Sequence, residues 1–177
     1  LVREKHRMRL YNYDQSTIKL ETKKRNGTVI SKDTAQISVN NAIDLSYGNY
    51  NHDSFDNNLA KLISIKLKSK SYKPRVIVEY DRRAYYLPYG NIRITFDKNL
   101  RTYNTHTNIF ELNNVVNSPV FLDNHQILEV KFGVELPSYL TDVLKTIPSI
   151  RASISKYVLC QRFVNHDLYK DHITPSF

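Results

Sequence analysis

The chain has 177 residues, with 26 Lys and Arg against 17 Asp and Glu, and a formal net charge of +9. That length and 41% hydrophobic residues suit one domain with a real core. The single cysteine, Cys160, excludes an internal disulfide, and no apolar run approaches the roughly 20 residues of a membrane span. The positive excess calls for an anionic partner: phosphate compounds, nucleic acid or an acidic membrane surface.

Residues 3–13 alternate as a strand, and residues 17–24 alternate again. Asn26-Gly27 supplies the positive-φ dipeptide of a tight hairpin, and residues 28–38 return as a third strand. Ser38 is an expected N-cap for a short helix through Leu45. Phe55, Leu59, Leu62, Ile63 and Lys66 follow helical spacing, predicting a helix over 54–69. Pro74 opens a strand from Arg75 to about Arg82. Tyr89-Gly90 turns the chain into a strand over Ile92–Asp97. Residues 100–118 alternate weakly around Asn108–Leu112, predicting a short strand among long loops. Ile127–Phe132 reads as a strand. Pro137 is a first-turn proline for a helix ended by Pro148. A last helix is expected over Ile150–Phe163, before a patternless tail over 166–177. Antiparallel strands with helices between and after them predict an α+β fold.

Side chains alternate between the faces of a strand. Arg3, Lys5, Arg7 and Arg9 therefore share a face, as do Lys19, Glu21 and Lys23. So do Arg93, Thr95 and Asp97, and also Glu129 and Lys131. The opposite faces are apolar: Met8 and Leu10; Ile18 and Leu20; Ile92, Ile94 and Phe96; Leu128, Val130 and Phe132. A sheet curled around a charged interior has this pattern, and so does an open sheet with one solvated face. The dominance of Arg and Lys favours the curled sheet. A lone carboxylate among cations, as at Glu21 and Glu129, is what a divalent metal bridging to phosphates needs, and equally what an ion pair needs.

Other chemistries are excluded or disfavoured. The four glycines form no phosphate-cradling loop, so phosphate must be held by side chains, for which the planar fork of arginine is suited. The six histidines have no zinc-ligand spacing and are expected as surface or loop residues. Cys160 lies in an apolar stretch and is expected in the core, and one free cysteine favours a reducing compartment. Thirteen tyrosines and the positive charge fit nucleic-acid binding by composition, but no aromatic–basic stacking motif accompanies them, and no nucleic acid is expected.

Ordered strings add a resemblance. Arg7-Met8-Arg9-Leu10-Tyr11 is followed by Lys19-Leu20-Glu21-Thr22-Lys23 and Ser31-Lys32. Then come Tyr80-Asp81-Arg82-Arg83-Ala84-Tyr85 and Arg93-Ile94-Thr95-Phe96-Asp97. Leu128-Glu129-Val130-Lys131-Phe132, Pro137-Ser138-Tyr139-Leu140 and Ser153-Ile154-Ser155-Lys156-Tyr157 complete the series. Over residues 3–160 the chain resembles the VTC domain, the polyphosphate polymerase domain of the vacuolar transporter chaperone complex and its bacterial relatives. That domain is one of the triphosphate tunnel metalloenzymes, in the CYTH-like superfamily. The likeness is to the short bacterial members, with no SPX domain in view.

The resemblance implies an antiparallel eight-stranded tunnel-like β-barrel with flanking helices, one domain over 1–165. The family's first strand is expected upstream of Leu1. The implied activity is transfer of the ATP γ-phosphate onto polyphosphate with Mn²⁺ or Mg²⁺. By position, Arg7, Arg9, Lys23, Lys32, Arg82, Arg93 and Lys156 are the implied catalytic cations, Tyr80 and Lys131 further phosphate and ATP contacts, and Glu129 the metal ligand. ATP and polyphosphate are the implied partners and the cytoplasm the expected compartment, with membrane association only through segments outside this chain. A triphosphate hydrolase and a polyphosphate-binding module of the same fold are the competing expectations.

Overall fold

A computed structural model describes residues 2–103, 107–121 and 124–164. The expected tail over 166–177 lies outside the described residues. The chain forms two compact units, Leu1–Arg75 with Thr105–Val115, and Val76–Asn104 with Val116–Phe177, each taken in its described residues.

The first unit is a three-stranded antiparallel sheet backed by helices. Strands β1 (Val2–Arg9), β2 (Ile18–Asn26) and β3 (Val29–Ile37) follow in spatial order. The β2–β3 hairpin closes Asn26 on Val29, so Gly27 and Thr28 form its turn, one residue later than expected. Gly27 has φ +59°, in the place glycine takes in a type II′ hairpin. Helix α1 (Val39–Ser46) starts at Ser38, whose Oγ accepts from the Asn41 amide. Helix α2 (Asn58–Ser69) starts at Asn57, whose Oδ1 accepts from the amides of Leu59 and Ala60. The predicted helix began at 54; residues 52–54 instead form a separate 3₁₀ turn.

The apolar sheet face meets these helices. Ile18, Leu20, Ala35 and Ile37 bury against Ala42, Leu45, Phe55, Ala60, Ile63 and Leu67, with Met8 alongside. This burial is the main stabilising term for the unit. It leaves the opposite, charged face free of helices from that core.

The second unit is built on β5 (Ile92–Tyr103). Strand β4 (Ile77–Leu87) pairs along one edge of it. The other edge is shared by β6 (Ser118–Pro119), opposite Arg101 and Thr102, and β7 (Ile127–Lys131), opposite Arg93–Asp97. Helix α3 (Ser138–Lys145) follows, and helix α4 (Lys156–Val164) packs on β4 and β5. Cys160 is fully buried with Leu100, Val120 and Ile127. Burial pushes its thiol up to about 11, so it is an inert core residue.

The expectation of an eight-stranded closed barrel is corrected. The described strands form one sheet of three and one of four, and neither closes. Closure needs hydrogen-bonded ladders at every seam, and no ladder among the described residues joins β1 or β3 to the second sheet. The α+β class and the antiparallel pairing hold. The strand expected near Asn108–Leu112 is absent: a 3₁₀ turn spans Leu112–Asn114. No helix among the described residues is long and apolar enough to cross a membrane.

Candidate phosphate-binding faces

Register places the charges. On the first sheet Arg7 stands opposite Glu21, Arg9 opposite Lys19, Lys5 opposite Lys23 and Arg3 opposite Arg25. Lys23 in turn stands opposite Lys32, and Glu21 opposite Thr34. One face thus carries eight cations: Arg3, Lys5, Arg7, Arg9, Lys19, Lys23, Arg25 and Lys32. Glu21 is the carboxylate among them.

Glu21 is buried beneath its partners. Arg7 Nε donates to Oε2 at 2.6 Å, Arg9 Nη2 to Oε1 at 2.5 Å, and Lys32 Nζ lies 2.8 Å from Oε1. Burial pushes the Glu21 carboxyl up, but hydrogen bonds from Lys32 and Arg7 and the nearby charges outweigh it, so it titrates below the ordinary glutamate range. Three cations on one carboxylate leave a positive remainder. Lys5, Lys19 and Lys23 have no ion pair among the described residues. Glu21 was noticed in the sequence as an isolated carboxylate; its part as the hub of Arg7, Arg9 and Lys32 needs the cross-strand register.

The second sheet has its own charged face. Arg82 pairs with Asp97, Ala84 with Thr95 and Tyr86 with Arg93. Thr95 pairs with Glu129, and Arg93 with Lys131. Asp97 is fully buried and receives Arg82 Nε at 2.6 Å, Arg82 Nη2 at 2.7 Å and Lys156 Nζ at 2.7 Å. Burial raises its carboxyl and the bonds from Arg82 and Lys156 lower it further, leaving it below the usual aspartate range. The hydrogen bond to Asp97 in turn pushes the Arg82 guanidinium up. The Tyr80 ring lies 5.1 Å from both the Arg82 guanidinium carbon and Lys156 Nζ, a cation–π seat for the pair.

A bulge beside Asp97 sets this arrangement. Asp81 pairs with Lys98 but Glu79 with Arg101, and Asn99 takes φ +53°. The extra residue on β5 exchanges its faces. Val78 therefore stands opposite Thr102, which is buried, and Arg101 turns to the other face to chelate Glu79 at 2.7 and 2.9 Å.

Of the expected site residues, the first unit gathers Arg7, Arg9 and Lys32 on Glu21, with Lys23 on the same face. The second gathers Arg82 and Lys156 on Asp97 with the Tyr80 ring against both, and sets Arg93, Glu129 and Lys131 further along the same face. Asp97 was seen as a face residue but not as the anchor of Arg82 and Lys156. The strand alternation marked its face; nothing local marked its partner on α4.

His6 departs from expectation. It lies on the inner face of β1 rather than on the surface, with Nδ1 2.9 Å from Thr22 Oγ1 and its ring edge-on to Tyr72.

Glu129 is the remaining carboxylate of interest. It is half-exposed, and Oε1 lies 3.1 Å from Lys131 Nζ. No group of three His, Cys, Asp or Glu that could hold a metal exists among the described residues. Mg²⁺ is commonly held by one or two carboxylates with substrate phosphate oxygens completing the shell. The donor set therefore fits a metal that arrives with phosphate rather than one caged by protein.

No curated protein matches the chain. A comparison with protein families matches residues 2–165 to the VTC domain. That match is consistent with a polyphosphate-related function and with an enzyme family of phosphotransferase type. The chain belongs to the VTC domain family.

Proposed function

We propose that the protein is a polyphosphate polymerase that moves the γ-phosphoryl group of ATP onto the end of a polyphosphate chain. The observation that carries this is the first sheet's face, where eight cations surround one carboxylate that three of them already neutralise. Such a face repels itself unless a polyanion lies on it.

Phosphoryl transfer asks for positioning and charge neutralisation rather than a protein nucleophile. A terminal oxygen of the polyphosphate attacks the γ-phosphorus, the bond from that phosphorus to the β-bridging oxygen breaks, and ADP leaves. Arg7, Arg9, Lys23 and Lys32 on the first sheet, and Arg93 and Lys131 on the second, are each suited to hold phosphate. Arg82 and Lys156, seated on Asp97 and Tyr80, keep positive charge at the end of the same face. Glu129 would hold Mn²⁺ or Mg²⁺, which when bound neutralises developing charge on the phosphate oxygens. A cytoplasmic setting suits a free thiol and a supply of ATP.

The test is incubation of the full chain with ATP and Mn²⁺, with products resolved by gel and ADP measured. Long polyphosphate with matching ADP is expected. Free phosphate without polymer would make the protein a hydrolase, and polyphosphate binding without turnover would leave a binding module.

A further inference from the structure

The charged face of the second sheet ends in a row that the cations alone do not account for. Tyr86 on β4 pairs with Arg93 on β5, and Arg93 pairs with Lys131 on β7. Directly paired residues share a face, and neighbouring strands lie about 4.8 Å apart. An aromatic ring and two cations therefore stand side by side across the sheet. One step along, Ala84, Thr95 and Glu129 form the next row.

Tyr86 is 61% exposed, yet its hydroxyl is held, donating to Asn91 Oδ1 at 3.1 Å. Ala84, the next residue on that face of β4, is exposed and offers only a methyl group beside the ring. Arg93 is exposed, and its side chain has no hydrogen bond or ion pair among the described residues. The hairpin that carries Tyr86 is also pinned to the segment that follows β7. The Gly133 amide donates to the Gly90 carbonyl at 2.9 Å, and a Cβ at Gly133 would meet that oxygen at 3.1 Å. The Tyr86 hydroxyl and the turn beside it are thus held in place.

A π-face beside two cations and the half-exposed Glu129 carboxylate, itself 3.1 Å from Lys131 Nζ, complements the chemistry of a nucleotide. The ring suits a base, the cations suit its phosphates, and the carboxylate suits their metal. We propose that Tyr86 is the platform on which the nucleobase of the nucleoside triphosphate stacks, with the phosphates running toward Arg93 and Lys131. The proposal rests on the phosphate-binding role given to this face above, and adds to it the group that separates a nucleotide from bare triphosphate.

The experiment is calorimetric titration of the full chain with ATP and, separately, with inorganic tripolyphosphate, both with Mg²⁺. Base–aromatic stacking predicts that Tyr86→Ala weakens ATP by about tenfold or more and leaves tripolyphosphate within about twofold. Tyr86→Phe, which keeps the ring, should retain most of the ATP affinity. Unchanged tripolyphosphate binding also reports a folded variant, and Tyr86→Thr, with a strand-favouring side chain, serves if alanine disturbs the hairpin. Equal losses for ATP and tripolyphosphate, or none for either, would overturn the base platform alone. Failure of the unaltered protein to bind tripolyphosphate would overturn the phosphate-binding role and the platform with it.

Discussion

Glu21 and Asp97 are two solutions to one problem, a buried carboxylate among cations. Glu21 draws its partners from β1 and β3, the strands on either side of it in a single sheet. Two of those partners, Arg7 and Lys32, keep side-chain exposures of 59% and 47%, and the third, Arg9, is at 26%. Asp97 draws one partner from the neighbouring strand and the other from α4. Those side chains are at 29% for Arg82 and 19% for Lys156. The first cluster is a flat, wet array that presents charge. The second is a clasp that fastens a helix to a sheet. Identical chemistry therefore differs in what the partners are attached to: the strand-borne Arg7 and Lys32 stay well exposed, and the helix-borne Lys156 closes over its carboxylate.

The sharpest way to break this contrast is to remove each carboxylate. Asp97→Ala leaves Arg82 and the more buried Lys156 without their carboxylate and should cost about 3 kcal/mol. Chemical denaturation would measure it, and loss of the α4 contribution to circular dichroism should accompany it. A loss no larger than that of a surface ion pair would show that the clasp does not fasten the helix.

Glu21→Gln should cost less, about 1–2 kcal/mol, because Arg7 and Lys32 can turn to water and the amide oxygen can still accept. Polyphosphate affinity should hold or rise, since the face loses its negative charge. A fall in affinity with stability intact would mean that Glu21 orients the arginines rather than merely offsetting them.

The smallest effect belongs to the inner face of the first sheet. Burial holds the His6 imidazole below its usual range; Glu4 pushes it up, and Lys66 and Lys70 push it down again. Above about pH 6.5 His6 is neutral in both folded and unfolded chains and contributes no slope. As pH falls through that value the unfolded chain takes up the proton first, so stability declines until the folded imidazole is protonated too. Denaturation midpoints between pH 8 and 5, compared with His6→Gln, should show a decline that the variant lacks. A slope of equal size in both would place the pH dependence elsewhere.

The local parts of this structure were legible in the sequence. Ser38 caps its helix because a serine at that position has an amide to accept from, whatever the rest of the chain does. The alternation of Arg3 to Arg9 and of Arg93 to Asp97 survives in the registers. What the pattern could not carry was anything that depends on distant partners. Strand β5 continues to Tyr103 because the bulge at Asn99 resets its faces, and a parity change looks like the end of a strand. Helix α4 begins at Lys156 rather than Ile150; its first residue pairs with Asp97, 59 positions earlier. The charged, alternating faces suggest a curled sheet and the resemblance implies the barrel, but alternation is the same in an open sheet. Closure depends on which edges meet.

The outward side of β1 places a like charge at every second residue from Arg3 to Arg9, a spacing of about 7 Å along the strand. A polymer of identical phosphate units laid on such a ladder has no preferred register. Shifted along the strand by one rung, it exchanges each cation for the next and loses little. On the proposed function, β1 would grip the chain sideways while letting it advance lengthwise, acting as a rail rather than a lock.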